Sequence, residues 1–213
     1  MNKEDLVHTI RNGVPVKKIK ALRKHYMALG YNHKTFVKGF RPEKHIIQKV
    51  AWAVDILELH KPPVKRCLDI GTGSGFFPYV LKHLGHQTEM CDVGVGTASE
   101  AYLQCIKLLG MDRTYTFSVM KREKLPIPEE KIYDVITASG IAFHPDWNPL
   151  DWDFFINDCF SHLSYGGVLF MQVNNTGQSA KKGYDGLQAY LQFTSEIFTC
   201  HSDLIATLHK VAR

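Results

Sequence analysis

The chain has 213 residues, of which 45% are hydrophobic and 22% charged, a size and composition that fit one globular domain and exclude a second catalytic domain. Its net charge of +5 is uneven, because residues 1–66 carry 15 basic against 5 acidic side chains and residues 67–213 carry 11 against 16. The longest apolar runs are far shorter than the roughly 20 residues of a membrane span, and the first residues lack a secretory core, so we expect a cytoplasmic protein without membrane association.

The first predicted element is a basic amphipathic helix over residues 16–29, with Gly30 as its stop. Apolar and aromatic side chains recur along it at helical spacing: Val16, Ile19, Leu22, Tyr26 and Leu29. The basic side chains occupy the rest of the helix surface: Lys17, Lys18, Lys20, Arg23 and Lys24. This surface is either a solvated helix face, the more common meaning of a charge run, or a surface that guides an anionic acceptor such as RNA.

A second predicted helix runs from Glu43 to about Leu59, and Pro62-Pro63 ends it. Its apolar residues recur at helical spacing and are suited to packing on a sheet. We therefore predict a basic helical cap or extension over residues 1–42, followed by the main domain over residues 43–213.

Residues 66–70 predict a buried strand that ends in a glycine-rich turn of pattern GxGxG, residues 71–75. Glycine reaches positive φ and lets a ligand approach the backbone, while the first N–H groups of the following helix stay unpaired. A dinucleotide-binding turn would need a third glycine at position 76, which holds Phe76, so a nicotinamide dehydrogenase is not expected. Asp69 at the carboxyl end of the strand favours a cationic or hydroxyl-rich ligand instead.

Asp92 is the second acidic residue in a position to bind a nucleoside. It follows the next predicted strand, residues 87–91, and lies 17 positions after Gly75. An acidic residue about 20 positions downstream of such a turn binds ribose hydroxyls on this kind of scaffold. The alternative is a turn aspartate or a helix N-cap.

The remaining predicted elements alternate between helices and strands. They are helices over 96–109, 151–163 and 186–196, strands over 114–118, 133–138 and 167–173, and a terminal antiparallel pair over 197–201 and 204–209. This alternation favours an α/β fold with a doubly wound, mostly parallel sheet.

The cysteines and histidines predict neither disulfides nor a metal site. Five cysteines, an odd number, are spread along the chain without a CxxC pair. His83 and His86 have the spacing of a ligand pair, but Gly85 is expected to end the helix between them and no further ligands lie nearby. We expect reduced, mostly buried thiols and no metal.

Three segments together resemble the class I S-adenosylmethionine-dependent methyltransferases. LDIGTGSG at residues 68–75 is similar to motif I of that family, Asp92 takes the place of its ribose-binding acid, and YDVI at residues 133–136 is similar to motif IV. The resemblance implies a Rossmann-like sheet of seven strands, complete or reduced, and S-adenosyl-L-methionine as cofactor. It also implies a set of cofactor-binding residues: Asp69, Gly71, Thr72, Gly73, Ser74, Gly75, Asp92, Val93, Met120 and Ser139.

The chain departs from the family pattern where the adenine should be recognised. Many relatives have an acid at the end of the third strand, whereas residues 116–122 contain none and Glu123 is the first acid. Met120 or Val93 could stack on the adenine, and core packing is an equal alternative for Met120.

The acceptor is less defined than the cofactor. Residues 138–147 lack the Asn/Asp-Pro-Pro-Tyr/Phe box of amino-methylating enzymes, and no cysteine lies in a Pro-Cys or Ser-Cys motif. His144 is the candidate general base, with Asp146 to orient it. The candidate acceptor-contacting residues are Trp147, Asn174 and Asn175.

We therefore expect a methyltransferase with a small-molecule acceptor. An RNA methyltransferase recruited by the basic helix and a non-catalytic binding protein of the same fold are the alternatives, and the oligomeric state is open.

Overall fold

The computed structural model describes residues 2–32, 34–94, 97–141, 147–173, 178–194, 197–202 and 205–210. The helices are α1 Lys3–Gly13, α2 Val16–Ala28, α3 Lys34–Gly39, α4 Pro42–Ala51, α5 Phe76–His83, α6 Thr97–Leu108, α7 Pro149–Ser161 and α8 Gln178–Phe193. The strands are β1 Arg66–Ile70, β2 Gln87–Asp92, β3 Tyr115–Thr116, β4 Tyr133–Ile141, β5 Leu163–Val173, β6 Ile197–Ser202 and β7 Ile205–His209. Among these described residues, no helix combines the length and the hydropathy needed to cross a bilayer.

The seven strands form one mixed sheet in the order β3-β2-β1-β4-β5-β7-β6. β1 pairs parallel with β4, β4 with β5 and β2 with β3, whereas β7 runs antiparallel to both β5 and β6. The prediction of a doubly wound, mostly parallel sheet is confirmed, and the sheet has all seven strands. The predicted terminal antiparallel pair is present as β6 and β7.

By its contacts the chain divides into two compact units. The first contains Met1–Val64 and Thr72–Thr116, and the second contains Lys65–Gly71 and Phe117–Arg213. The N-terminal helices therefore share a unit with residues 72–75 of the glycine turn, β2 and α6. The sequence-based boundary between residues 42 and 43 stays a prediction.

Several elements differ from the sequence-based expectation: α1 and α3 were not predicted as separate helices, and β3 and α8 have other bounds than predicted. β3 contains only Tyr115–Thr116, two of the five predicted residues. The preceding Thr114 bonds to Met90 through both its backbone N–H and its Oγ1, the latter accepting the Met90 N–H at 3.2 Å. α8 begins at Gln178, eight residues before the predicted start, since the glycines of this segment obscured the helical pattern. One of them, Gly186, is required by packing: a Cβ there would lie 2.2 Å from the carbonyl oxygen of Trp147.

In the first unit, the N-terminal helices pack on one another and on α5 and α6. α1 contacts α4, α4 contacts α5, and α2 contacts α6. The α2 helix ends as predicted, with Gly30 at a φ of +98°. The ring of Phe40 stacks on Tyr102 of α6 at 5.3 Å, and the imidazole of His45 stacks on Phe76 at 5.4 Å. The predicted second helix is α4, which continues as a π-helical turn over Trp52–Ile56.

His45 and Asp151 are two ionisable residues whose pKa values are lowered by their surroundings, so each makes stability depend on pH. Burial lowers the pKa of His45, whose Nε2 lies 2.8 Å from the carbonyl oxygen of Lys38. Asp151, in the second unit, is fully buried within the capping box that starts α7 and contacts the side chains of Arg122 and Lys121. Burial alone would raise the pKa of Asp151. The hydrogen bond from the backbone N–H of Asn148 and the two cations outweigh the effect of burial and hold the pKa below its ordinary value.

Candidate functional site

At three places, the glycine turn of residues 71–75 has a backbone conformation that only glycine adopts without strain. Gly71, Gly73 and Gly75 have φ angles of +70°, +53° and +79°. A Cβ at Gly75 would lie 2.7 Å from Cγ1 of Ile106, so this glycine lets the turn pack on α6. A Cβ at Gly73 would meet no atom within 4 Å among the described residues. The backbone is therefore open to a ligand at Gly73 and closed by protein at Gly75.

Asp92, the predicted ribose-binding acid, lies directly against this turn. One of its carboxylate oxygens accepts the N–H of Gly73 at 2.5 Å, and the other accepts the N–H of Val93 at 2.7 Å. Because an ionised carboxylate oxygen accepts two hydrogen bonds, each oxygen keeps a position for one more donor. The N-cap alternative is disfavoured, because α6 begins five residues later at Thr97.

The pKa of Asp92 reflects both its burial and these bonds. Burial raises the pKa, while the two N–H donors and the positive charge of Arg113 act in the opposite direction. Burial and the nearby Asp92 carboxylate also raise the pKa of Tyr102 to about 12, so Tyr102 is a neutral hydroxyl group near this carboxylate at pH 7.

Thr72 and Ser74 have different surroundings within the turn. The hydroxyl of Ser74 is buried and donates to the carbonyl oxygen of Gly39 at 2.5 Å, which attaches the end of α3 to the turn. The Oγ1 of Thr72 is buried without a hydrogen-bond partner among the described residues. The contact with Gly39 was not predictable, because a backbone carbonyl 35 residues away leaves no pattern in the sequence. Ser74 therefore has a structural bond already, and its contact with a cofactor stays a prediction.

In the second unit, Asp69 is 1% exposed at the carboxyl end of β1. The Oγ1 of Thr137 lies 2.5 Å from its Oδ1 and is itself fully buried. Burial of a carboxylate is costly unless it is hydrogen-bonded, so Thr137 stabilises Asp69 in this position. Thr137 belongs to the motif IV-like strand, but its bond to Asp69 was not foreseen.

Met120 and Ser139 are two further predicted cofactor residues of the second unit. Met120 is 48% exposed, which disfavours the alternative that it packs in the core. Ser139 is half-buried near the end of β4, opposite Gln172 of β5. Their contacts with a cofactor stay predictions.

The aspartate of the YDVI segment has a structural role. Asp134 accepts the backbone N–H of Arg66 at 2.8 Å and the hydroxyl of Ser164 at 2.9 Å. Both partners lie on the strands adjacent to β4. Asp134 thus holds three strands together near the amino end of β4.

Trp147 is buried beside α7. It is 2% exposed, and its ring makes edge contacts with Trp152 at 5.1 Å and Phe155 at 5.8 Å. This placement favours packing of α7, and a contact between Trp147 and an acceptor stays a prediction. The predicted residues His144, Asp146, Asn174 and Asn175 lie outside the described residues.

No protein-family model matches the chain, and no curated protein does. Solved structures match it in fold. A Staphylococcus aureus protein described as a "putative caffeoyl-CoA O-methyltransferase" aligns with a TM-score of 0.54 at 14% identity, over 98% of this chain and 99% of that one. A Clostridium thermocellum protein described as a "putative rRNA-methylase" aligns with a TM-score of 0.54 at 11% identity, over 76% of this chain and 97% of that one. The predicted class I methyltransferase fold is confirmed, and at such identities the likeness concerns the fold.

Proposed function

We propose that the chain is an S-adenosyl-L-methionine-dependent methyltransferase with a small-molecule acceptor. The observation that carries the proposal is the position of Asp92, whose two oxygens are bonded to Gly73 of the turn and to Val93. A ribose offers two neighbouring hydroxyl donors, and the carboxylate keeps one acceptor position on each oxygen. The open side of Gly73 and the buried hydroxyl of Thr72, which has no hydrogen-bond partner among the described residues, fit a ligand at the same turn.

The cofactor, when bound, would supply a methyl group on a positively charged sulfur. The contribution of the protein is to align an acceptor with that group, and a general base is needed only for an acceptor that must lose a proton. We assign the base to His144, with Asp146 orienting it, and acceptor contacts to Trp147, Asn174 and Asn175. These assignments rest on the sequence, in which residues 142–147 follow β4.

Calorimetric titration of the protein with S-adenosylmethionine and S-adenosylhomocysteine tests the cofactor, with a nicotinamide dinucleotide as negative control. We expect the first two to bind, and Asp92→Ala to weaken binding by about 1–3 kcal/mol through loss of charge-assisted hydrogen bonds. Asp112→Ala is the matched control, because Asp112 is an exposed aspartate of the same unit. A folded wild-type protein that binds neither compound would contradict the proposal.

Methyl transfer is a separate measurement, because a non-catalytic relative of the same fold would bind the cofactor without using it. Release of S-adenosylhomocysteine in the presence of a panel of small hydroxyl and amine acceptors distinguishes the two. Binding without release for every acceptor would favour the non-catalytic alternative.

RNA as the acceptor is the second candidate, and the composition of α2 favours it. This helix contains no acidic residue, and Lys17, Lys18 and Lys24 are exposed on it. Lys20 is less available, since its ammonium lies 2.9 Å from Glu43. If RNA binds here, replacing the three exposed lysines by glutamine should weaken RNA affinity and reduce its salt dependence by up to about three charges. Unchanged affinity and salt dependence would exclude this surface.

A further inference from the structure

Arg113 contacts the segment that follows Asp92. One terminal nitrogen of its guanidinium donates to the carbonyl oxygen of Val93 at 3.1 Å and lies 3.3 Å from the hydroxyl of Ser99. The other terminal nitrogen lies 3.4 Å from the carbonyl oxygen of Ser99. The Ser99 hydroxyl also donates to the Val93 carbonyl, and Ser99 is 4% exposed. A single arginine therefore joins the end of β2 to the first turn of α6.

These contacts fix residue 93 from both sides. Its N–H donates to the carboxylate of Asp92, while its carbonyl is held by Arg113 and Ser99. The next residue is also confined, because a Cβ at Gly94 would lie 2.3 Å from Cγ2 of Thr116. The Asp92 carboxylate thus bonds to the backbone N–H of Val93, and Arg113 holds the carbonyl of the same residue, which belongs to the next peptide group.

The charge of Arg113 acts on the same carboxylate. Among the described residues, the positive charge of Arg113 acts to lower the pKa of Asp92 against the effect of burial, and the hydroxyl of Tyr102 is a further titratable group that interacts with Asp92. Ionised Asp92 is the form that can accept two ribose hydroxyls. Cofactor affinity should fall at low pH as Asp92 becomes protonated, and we call this fall the acid limb of binding. Loss of the positive charge should therefore move the acid limb to higher pH.

We propose that Arg113 is a positioning residue for the cofactor site, which orients Asp92 through the backbone of Val93 and places a positive charge near its carboxylate. The inference rests on the proposed function, since it concerns affinity for a nucleoside cofactor. A lysine at this position would keep the charge but could not reach the Val93 and Ser99 carbonyls with two nitrogens in a fixed plane. The two contributions of Arg113, charge and geometry, are therefore separable by substitution.

The experiment measures S-adenosylhomocysteine affinity from pH 4 to 8 for wild type, Arg113→Met, Arg113→Lys and Lys107→Met. Arg113→Met should bind about tenfold more weakly at pH 7.5, with its acid limb moved to higher pH. Arg113→Lys should restore the limb towards that of wild type but recover only part of the affinity. Lys107→Met, which removes an exposed charge from α6, should match wild type.

Thermal unfolding and a milder variant separate positioning from folding. If Arg113→Met does not fold, Ser99→Ala is the test, and it should weaken binding about threefold through loss of one hydrogen bond to the Val93 carbonyl. Folded Arg113→Met, or Ser99→Ala in its place, with wild-type affinity and acid limb would overturn the inference while leaving the proposed function intact. A wild-type protein that does not bind would overturn both.

Discussion

One methyl group added to the glycine turn, at Gly73 or at Gly75, distinguishes a ligand contact from protein packing. Gly73 and Gly75 both have positive φ, so alanine at either position is strained by about 1–2 kcal/mol. They differ in their surroundings, because only the methyl group at Gly75 would meet Ile106, at 2.7 Å. We therefore expect Gly75→Ala to lose a further ~1–3 kcal/mol of stability through overpacking on α6.

Gly73→Ala should lose only the strain energy, which for a chain of this length lowers Tm by about 2–8 °C. If the cofactor packs against the turn, however, the added methyl group occupies its space, and affinity should fall roughly tenfold or more. Gly110→Ala is the matched control, because Gly110 has a φ of +70° in the same unit and its Cβ would meet no described atom within 4 Å.

The assay pairs thermal unfolding with calorimetric titration of S-adenosylhomocysteine for the three variants. Gly110→Ala should show the strain alone, with wild-type affinity, and Gly75→Ala should show the largest fall in Tm. Wild-type affinity in a folded Gly73→Ala protein would show that the ligand does not approach this part of the backbone, and would refute the assignment of the turn to the cofactor.

Three further substitutions test the account of stability. Asp151→Asn should lower the free energy of unfolding by about 1–2 kcal/mol, a figure reduced because Arg122 and Lys121 are partly exposed. The pKa of Asp151 is lowered from 3.8, so the difference in the free energy of unfolding between wild type and variant should be largest above about pH 4 and should disappear as pH falls further. Chemical denaturation at several pH values measures this difference. Asp134→Ala should cost about 1–3 kcal/mol in the same assay, because two donors lose a charged acceptor. His45→Phe should reduce the loss of wild-type stability on acidification below about pH 6.5, since the lowered pKa of His45 makes folding favour its neutral form; an unchanged pH profile would contradict this.

The local features of the site could be predicted from the sequence, because strand, glycine turn and helix follow one another along the chain. The spacing of Asp92 from Gly75 predicted a ribose-binding carboxylate, and the structure places that carboxylate against the turn. The start of α8 was not predictable from helix propensity, because the packing of Gly186 against Trp147 overrides the weak propensity of glycine. The bond between Ser74 and Gly39 joins a side chain to a distant backbone carbonyl, and such a bond has no sequence period.

Asp92 shows why the supporting contacts of this site affect function more than their individual energies suggest. Burial raises the pKa of its carboxylate, so ionisation above pH 3.8 costs the folded state free energy relative to the unfolded chain. Two backbone N–H groups and the charge of Arg113 offset part of that cost. Because the carboxylate is oriented and partly desolvated before a ligand arrives, those costs are met in folding and not in binding. Substitutions of its supporting residues should therefore change cofactor affinity even where the fold remains stable.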